Sequence, residues 1–208
     1  MTGYLAERIR FAVMCSCIIN GASLDPADDS MATADLKLDS TPNKVAAVCY
    51  RSIRGSVEFL LVRTKSGRWT FPKGNIEPHL SLRESAELEA YEEAGALGRI
   101  GRVHFDHYRH MKSSCRETGF DGLLVAAFLL QVEETIPPQE THREPTWFGP
   151  REAKAQLAEG RSLRFSREFS RVIDSALTKL YVEKRRSRRR LLRPDRFGVN
   201  HPKLAGSR

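Results

Sequence analysis

Cysteine is scarce in this 208-residue chain, and its four positions (Cys15, Cys17, Cys49 and Cys115) have neither metal-site nor disulfide-framework spacing. A small scaffold held by cross-links is therefore excluded, and Cys49, inside an apolar run, reads as inert core. A reduced cytoplasm is the expected compartment. Long hydrophobic runs are also missing. Phe11 to Ile19 falls far short of the ~20 residues a helical membrane span needs. No internal repeat is visible, which sets aside repeat architectures. Aromatic residues are absent from the most basic stretch, Lys184 to Arg193, so base-stacking recognition of single strands is not encoded there.

Positive charge is in excess, at +8 overall, and its location matters. Residues 184–208 hold ten Lys and Arg against one acid, while residues 1–43 hold three against six. The stretch between them, with 21 against 19, is nearly balanced. The basic excess belongs to the tail, so it argues about the tail's partners and not about the central site. The chain divides into an N-terminal extension (1–43), one domain (44–183) and a basic C-terminal tail (184–208). In the extension, Arg8 and Arg10 before the apolar run and Gly21-Ala22-Ser23 after it permit a weak secretory-signal reading. Glu7 and the lack of a small-x-small cleavage site oppose it, and a start at Met31 is the third reading. Forty per cent apolar residues is enough for a core.

The central domain reads as alternating strands and helices. Val45–Tyr50 and Phe59–Arg63 are β-branched-rich runs around a Gly-containing turn, a hairpin-like pair. Trp69–Phe71 is a short strand halted by Pro72. Ser81 with Glu84 forms a capping box and predicts a helix over 82–94, closed by Gly95. Val103–Arg109 and Leu123–Val132 are predicted strands, the second central. Pro150–Leu157 suits a short helix. Phe165, Phe169, Val172, Ile173, Ala176, Leu177 and Leu180 recur at helical spacing and predict an amphipathic helix on the sheet.

Within this frame, Glu89, Glu92 and Glu93 of LEAYEEAGA follow Gly74 of FPKGNIEP by fifteen residues or more. At ~100° per residue the three carboxylates share about a third of the helix circumference. Like charges so placed repel, and a hard divalent cation that prefers carboxylate oxygens converts the repulsion into binding.

These residues resemble the Nudix hydrolase signature G-x5-E-x7-R-E-U-x-E-E-x-G-U, U being aliphatic. Gly74 opens it, Glu89 and Ala90 stand at E-U, Glu92 and Glu93 form the pair, and Gly95–Ala96 close it. Leu80 and Leu88 stand where the family has Glu and Arg, which points to an apolar contact in place of an ion pair. The flanks KVAAVCYRS, FLLVRTKSGRWTFPKGNIEP and EPTWF are similar to the diphosphoinositol polyphosphate phosphohydrolase-like branch, from about Lys44 to Leu180. The resemblance implies an α/β/α sandwich with a mixed sheet. It also implies a Mg²⁺-dependent pyrophosphohydrolase (Mn²⁺ being the alternative ion) that cleaves a phosphoanhydride bond. Its substrate would be a nucleoside-diphosphate-linked, diphosphoinositol or dinucleoside polyphosphate, with nucleoside triphosphates as the alternative. Glu89, Glu92 and Glu93 would be catalytic and metal-ligating, with the Gly74 carbonyl as a further ligand.

Arg51, Arg63, Lys65, Arg68 and Lys73 are the candidate phosphate-binding residues. Each is open to the plainer reading of solvated surface charge, least so Lys73, which sits in the PKG turn. Glu77 reads equally as ligand or loop structure. Glu144 reads as loop polarity or a supporting carboxylate. In the second basic run, His107 and Arg109 share one strand face and His110 the other, while Lys112 follows; at most half can face a ligand. The tail KRRSRRRLLR reads either as a solvated, disordered extension or as a nonspecific contact for RNA or another polyanion. Two further hypotheses remain beside the enzyme: a Nudix fold that binds with little turnover, and an RNA-associated protein acting through its tail.

Overall fold

The computed structural model describes residues 41–110 and 122–191. The extension up to residue 40, Lys112, Cys115 and the end of the tail lie outside the described residues. Strands β1 (Lys44–Ile53) and β2 (Ser56–Arg63) pair antiparallel around the turn at Arg54–Gly55. β3 (Trp69–Thr70) pairs antiparallel with the end of β2, and β4 (Lys73–Asn75) pairs antiparallel with the start of β1. Helix α1 (Leu82–Ala94) follows, then β5 (Ala96–Ile100), β6 (Asp106–His110) and the long β7 (Leu123–Thr135). A 3₁₀ turn (Thr141–Arg143), β8 (Thr146–Phe148), α2 (Pro150–Ala158) and α3 (Leu163–Leu191) complete the order. β7 lies parallel to β1 and antiparallel to β5 and β6, so the sheet is mixed.

Both faces of the sheet are covered, which is why its central strands are apolar at nearly every position. Ala46, Val48, Phe59, Leu61, Val125, Ala127 and Leu129 face one side, packed with Leu157 of α2 and Phe169, Val172, Ile173 and Ala176 of α3. Val45, Ala47, Cys49, Leu60, Val62, Ala126, Phe128 and Leu130 face the other, against Ala86, Ala90 and Ala94 of α1. The small alanines let α1 lie close to the sheet. Burial holds the Cys49 thiol far above its usual range, so it stays protonated and inert. The α/β/α sandwich is the arrangement expected from the sequence.

The differences are informative. The strand expected over Val103–Arg109 begins at Asp106, because pairing starts only where the Phe105 N–H meets the Ala127 carbonyl at 2.9 Å. Val103 is 66% exposed in the turn before it. Trp69–Phe71 shortens to two residues, since the Pro72 carbonyl already serves the Ala47 N–H of β1. The tail starting at Lys184 is not all irregular chain: α3 continues through it to Leu191. None of the helices among the described residues is long and apolar enough to cross a membrane.

Gly95 ends α1 with φ at +60°, its N–H meeting the Ala90 and Tyr91 carbonyls. A Cβ there would stand 1.9 Å from the carbonyl oxygen of Ile136, whose N–H donates to the Gly95 carbonyl at 2.9 Å and ties down the chain after β7. Gly95→Ala should therefore lower stability by at least ~2 kcal/mol, read as a fall in thermal midpoint.

Candidate active site

The capping box places α1 over β4. Ser81 Oγ accepts the Glu84 N–H at 3.3 Å, and Glu84 Oε2 accepts the Ser81 N–H at 3.0 Å. The loop between β4 and α1 is pinned where the Glu77 N–H donates to Ser85 Oγ at 3.1 Å. Leu80 and Leu88 are both partly buried on this turn. Two turns along α1, the Glu89 carboxylate lies directly against Gly74. A Cβ on residue 74 would fall 1.5 Å from Glu89 Oε1, so only glycine allows this approach.

Glu93 is 3% exposed, and both its oxygens are engaged. Oε2 accepts the Lys73 N–H at 2.9 Å, while Oε1 pairs with Arg143 of the 3₁₀ turn. Arg143 also donates through Nε to Glu140 Oε2 at 2.5 Å. Glu93 thus acts as a strut joining α1, β4 and the loop after β7. Glu92, half-buried beside it, receives the Glu140 N–H on its backbone carbonyl at 3.1 Å.

Burial, together with neighbouring carboxylates, raises the proton affinity of all three. Glu89 is pushed up to about 8 by burial first, then by Glu93 and Glu92. Glu92 is raised by burial and by Glu140, Glu77 and Glu93. Glu93 is raised by burial, against the pull of Lys73 and Arg143. Glu77 is therefore part of the acidic cluster and not only loop structure. Glu144, the other candidate, instead pairs with Arg63 at 2.9 Å, out at the surface.

Gly74, Glu89, Glu92 and Glu93 are brought to one place, yet among the described residues no three acidic, histidine or cysteine side chains form a ready-made coordination cage. The donor chemistry still fits a hard divalent cation. Glu89 carries a charge that its surroundings penalise, with a glycine backbone pressed against it, and Glu92 lies in a field of three other carboxylates. Glu93 would have to leave Arg143 to ligate.

A cationic group faces this acidic one. Register places Lys44 of β1 opposite Asn75 of β4 and beside Val125 of β7, and His110 opposite Leu123, so all meet at one end of the sheet. Lys44 Nζ donates to Asn75 Oδ1 at 2.7 Å. Burial pulls the Lys73 ammonium below its usual range, with Glu93 opposing. His110 is depressed to about 3 by burial and then by Lys73, Lys44, Arg161 and Arg68. Arg161 is held by the Trp69 carbonyl at 2.5 Å, the Leu157 carbonyl at 2.6 Å and the Phe169 ring. Burial and Arg68 lower it to about 10. The buried Tyr108 hydroxyl, two residues before His110, has no hydrogen-bond partner among the described residues.

A histidine kept neutral in the fold destabilises it in acid, because the unfolded chain takes up a proton near pH 6.5 that the folded chain refuses. The contribution of His110 to stability should fall as pH drops below 6.5, by roughly 2 kcal/mol at pH 5, while Glu89 contributes with the opposite sign over the same range. His110→Gln should therefore gain stability relative to the wild type as pH drops from 6.5 to 5, read as the difference between the two in thermal melts.

The five predicted phosphate-binding residues separate. Lys73 lies in the site, and Arg68 lies within electrostatic reach of His110 and Arg161. Arg63 ends β2 near the site but is engaged by Glu144, the Gly67 carbonyl at 2.7 Å and the Trp69 ring. Its Nε is close to Glu144 without hydrogen-bond alignment. Lys65 is exposed in the turn before Arg68. Arg51 is at the wrong end: it lies six residues past Val45, the partner of Gly74, about 20 Å along the strand. There it pairs with Glu58 at 2.7 Å and stacks on Trp147 at 4.2 Å. Glu140, Arg143, Lys44 and Arg161 were missed, because only long-range pairing brings them in.

The NUDIX domain family matches residues 42–169, more than half of the chain. Over 62 residues the chain is 40% identical to diphosphoinositol polyphosphate phosphohydrolase 3-alpha of Mus musculus, a match covering 29% of this chain and 37% of that protein. It is 32% identical over 107 residues to the mitochondrial Nudix hydrolase 17 of Arabidopsis thaliana, covering 49% of this chain and 55% of the relative. The matches thus span about a third to a half of these relatives. Among solved structures, an Ap4A hydrolase of C. elegans superposes with a TM-score of 0.52 at 18% identity, covering 68% of this chain and 98% of that one.

Proposed function

The chain belongs to the NUDIX family, and from that membership we propose that it is a divalent-cation-dependent pyrophosphohydrolase cleaving a phosphoanhydride bond in a small polyphosphate. The observation that carries this reading is the Glu89 carboxylate seated on Gly74, within an acidic cluster that abuts a cationic one. Glu89 and Glu92 would hold the ion, with the Gly74 carbonyl beside them. Mg²⁺ is the expected ion, with Mn²⁺ as its substitute. When bound, the ion supplies charge neutralisation for phosphate oxygens and acidifies water for attack on phosphorus. Lys73, Lys44 and Arg68 would orient the negatively charged chain, and one of the three glutamates would take a proton from the attacking water. Positioning and electrostatics account for most of the acceleration in such transfers.

A substrate with several phosphates fits a site facing four cations. The mouse relative's named substrate class, a diphosphoinositol polyphosphate, is the first choice, and a dinucleoside polyphosphate is the second. A cytoplasmic setting, in which an unpaired thiol such as the buried Cys49 stays reduced, suits this reading. One observation favours a slower, binding-only variant: Arg143 occupies Glu93. Gly74→Ala tests the enzyme reading. The atoms nearest the added methyl group are all at the carboxylate end of Glu89, a side chain that can turn aside, so the fold should persist while the carboxylate is displaced. Mg²⁺-dependent hydrolysis should fall by about 10²-fold with an unchanged melting curve. Unchanged hydrolysis would remove Glu89 from the mechanism.

A further inference from the structure

The last three turns of α3 do not belong to the core. Leu177 and Leu180 are the final side chains packed against the sheet, and every residue from Tyr181 to Arg189 is exposed. The helix nevertheless continues to Leu191, an arm of about 16 Å beyond the core. Tyr181, Lys184, Arg185, Arg188 and Arg189 line one surface depression along it, at helical spacing. Arg185 stacks on the Tyr181 ring at 5.6 Å. Glu183 is the only acid in the arm, and it faces back to Lys179 at 3.7 Å.

We propose that this arm is a docking surface for the phosphate backbone of a nucleic acid double helix, bound without base readout. Three features select that partner. The stripe carries four cations, which repel one another until an anionic partner lies along them. The arm has no apolar face: after Val182 no apolar residue occurs before Leu191, so it lacks what an interfacial membrane helix inserts. Tyr181, with Arg185 over one face of its ring, is its one aromatic, so successive unpaired bases find no stacking platform. A rigid row of cations matches the regular charge of a duplex, one per ~1.7 Å of axis. The surface is separate from the acidic cluster, and the inference stands whether or not the site turns over a polyphosphate.

The test uses the full chain with labelled 20-base-pair RNA and DNA duplexes, across a salt series. Four backbone contacts predict a log–log salt slope of about −3.6 from the arm, or about a 100-fold loss between 50 and 200 mM salt. Replacing Lys184, Arg185, Arg188 and Arg189 with Gln should remove most of that slope and leave hydrolysis and the melting midpoint unchanged. Ser187→Pro keeps every charge while breaking the helix, and should weaken duplex binding at least tenfold. Equal binding by the Ser187→Pro variant would overturn the helical arm in favour of an irregular tail. Failure to bind duplex at 50 mM salt, tighter binding to a single strand, or tighter binding to vesicles of 30% phosphatidylserine in phosphatidylcholine would each overturn the assignment.

Discussion

Glu89→Gln is expected to cut Mg²⁺-dependent hydrolysis by about 10³-fold and, without the ion, to make the protein more stable. On the proposed function, the loss follows from removing an anionic ligand where charge on the phosphates must be neutralised. The gain follows from linkage. Glu89 is held near 8 in the fold, well above its unfolded value, so folding at neutral pH takes up a proton or pays repulsion from Glu93 and Glu92. That cost is absent below about pH 4.5, grows as pH rises, and is complete above 8. The neutral amide removes it, which is worth on the order of 2–3 kcal/mol at pH 7. Chelated wild type and variant should therefore melt together at pH 4 and several degrees apart at pH 7.5, the variant higher. With Mg²⁺ added, the wild type should gain stability and the variant should gain little. A variant that is less stable at every pH would mean that Glu89 is a structural residue.

Arg143→Met should have the opposite sign. Arg143 is 13% exposed and forms the side-chain ion pair with Glu93, which is 3% exposed and also lies in the field of Lys73. Truncating one member of a buried pair leaves the other charge without its partner, at a cost of about 3 kcal/mol. Methionine preserves most of the volume, so a packing defect is not the source. Adding Glu93→Gln should restore much of the loss, because the amide keeps the Lys73 N–H bond without a charge to balance. A double-mutant cycle in thermal melts measures this coupling, expected at 2 kcal/mol or more. Additive effects would show that Glu93 and Arg143 stabilise the fold independently.

The parts of the site that are close in sequence were legible. Ser81, Glu84 and Gly95 mark α1 with local chemistry, and Glu89, Glu92 and Glu93 lie on one turn of it, twenty residues or fewer from Gly74. The core strands were legible because both faces are covered and their central positions are apolar in unbroken runs. Short strands were not: β5 and β8 are defined by their partners β7 and β2, and their own sequences, ALGRI and TWF, carry little signal. Nor was the site's far half. Arg143 and Glu140 arrive about fifty residues after α1 and Lys44 thirty residues before Gly74, each delivered by a strand register or a loop path. Arg51 shows the same limit from the other side. Its residue type suits phosphate, but only register reveals that β1 carries it to the opposite end of the sheet. The basic tail was read from charge alone, and charge does not say that a helix continues through it.

The most direct test of the account is phosphate-resolved product analysis with Mg²⁺, on wild type and Glu89→Gln side by side. The panel is a diphosphoinositol polyphosphate, diadenosine polyphosphates, nucleoside triphosphates and a nucleotide sugar. Turnover of one polyphosphate class by the wild type, lost in the variant and lost on chelation, is the predicted result. Measurable binding of panel members with no turnover of any, or turnover that survives both the variant and chelation, would contradict it.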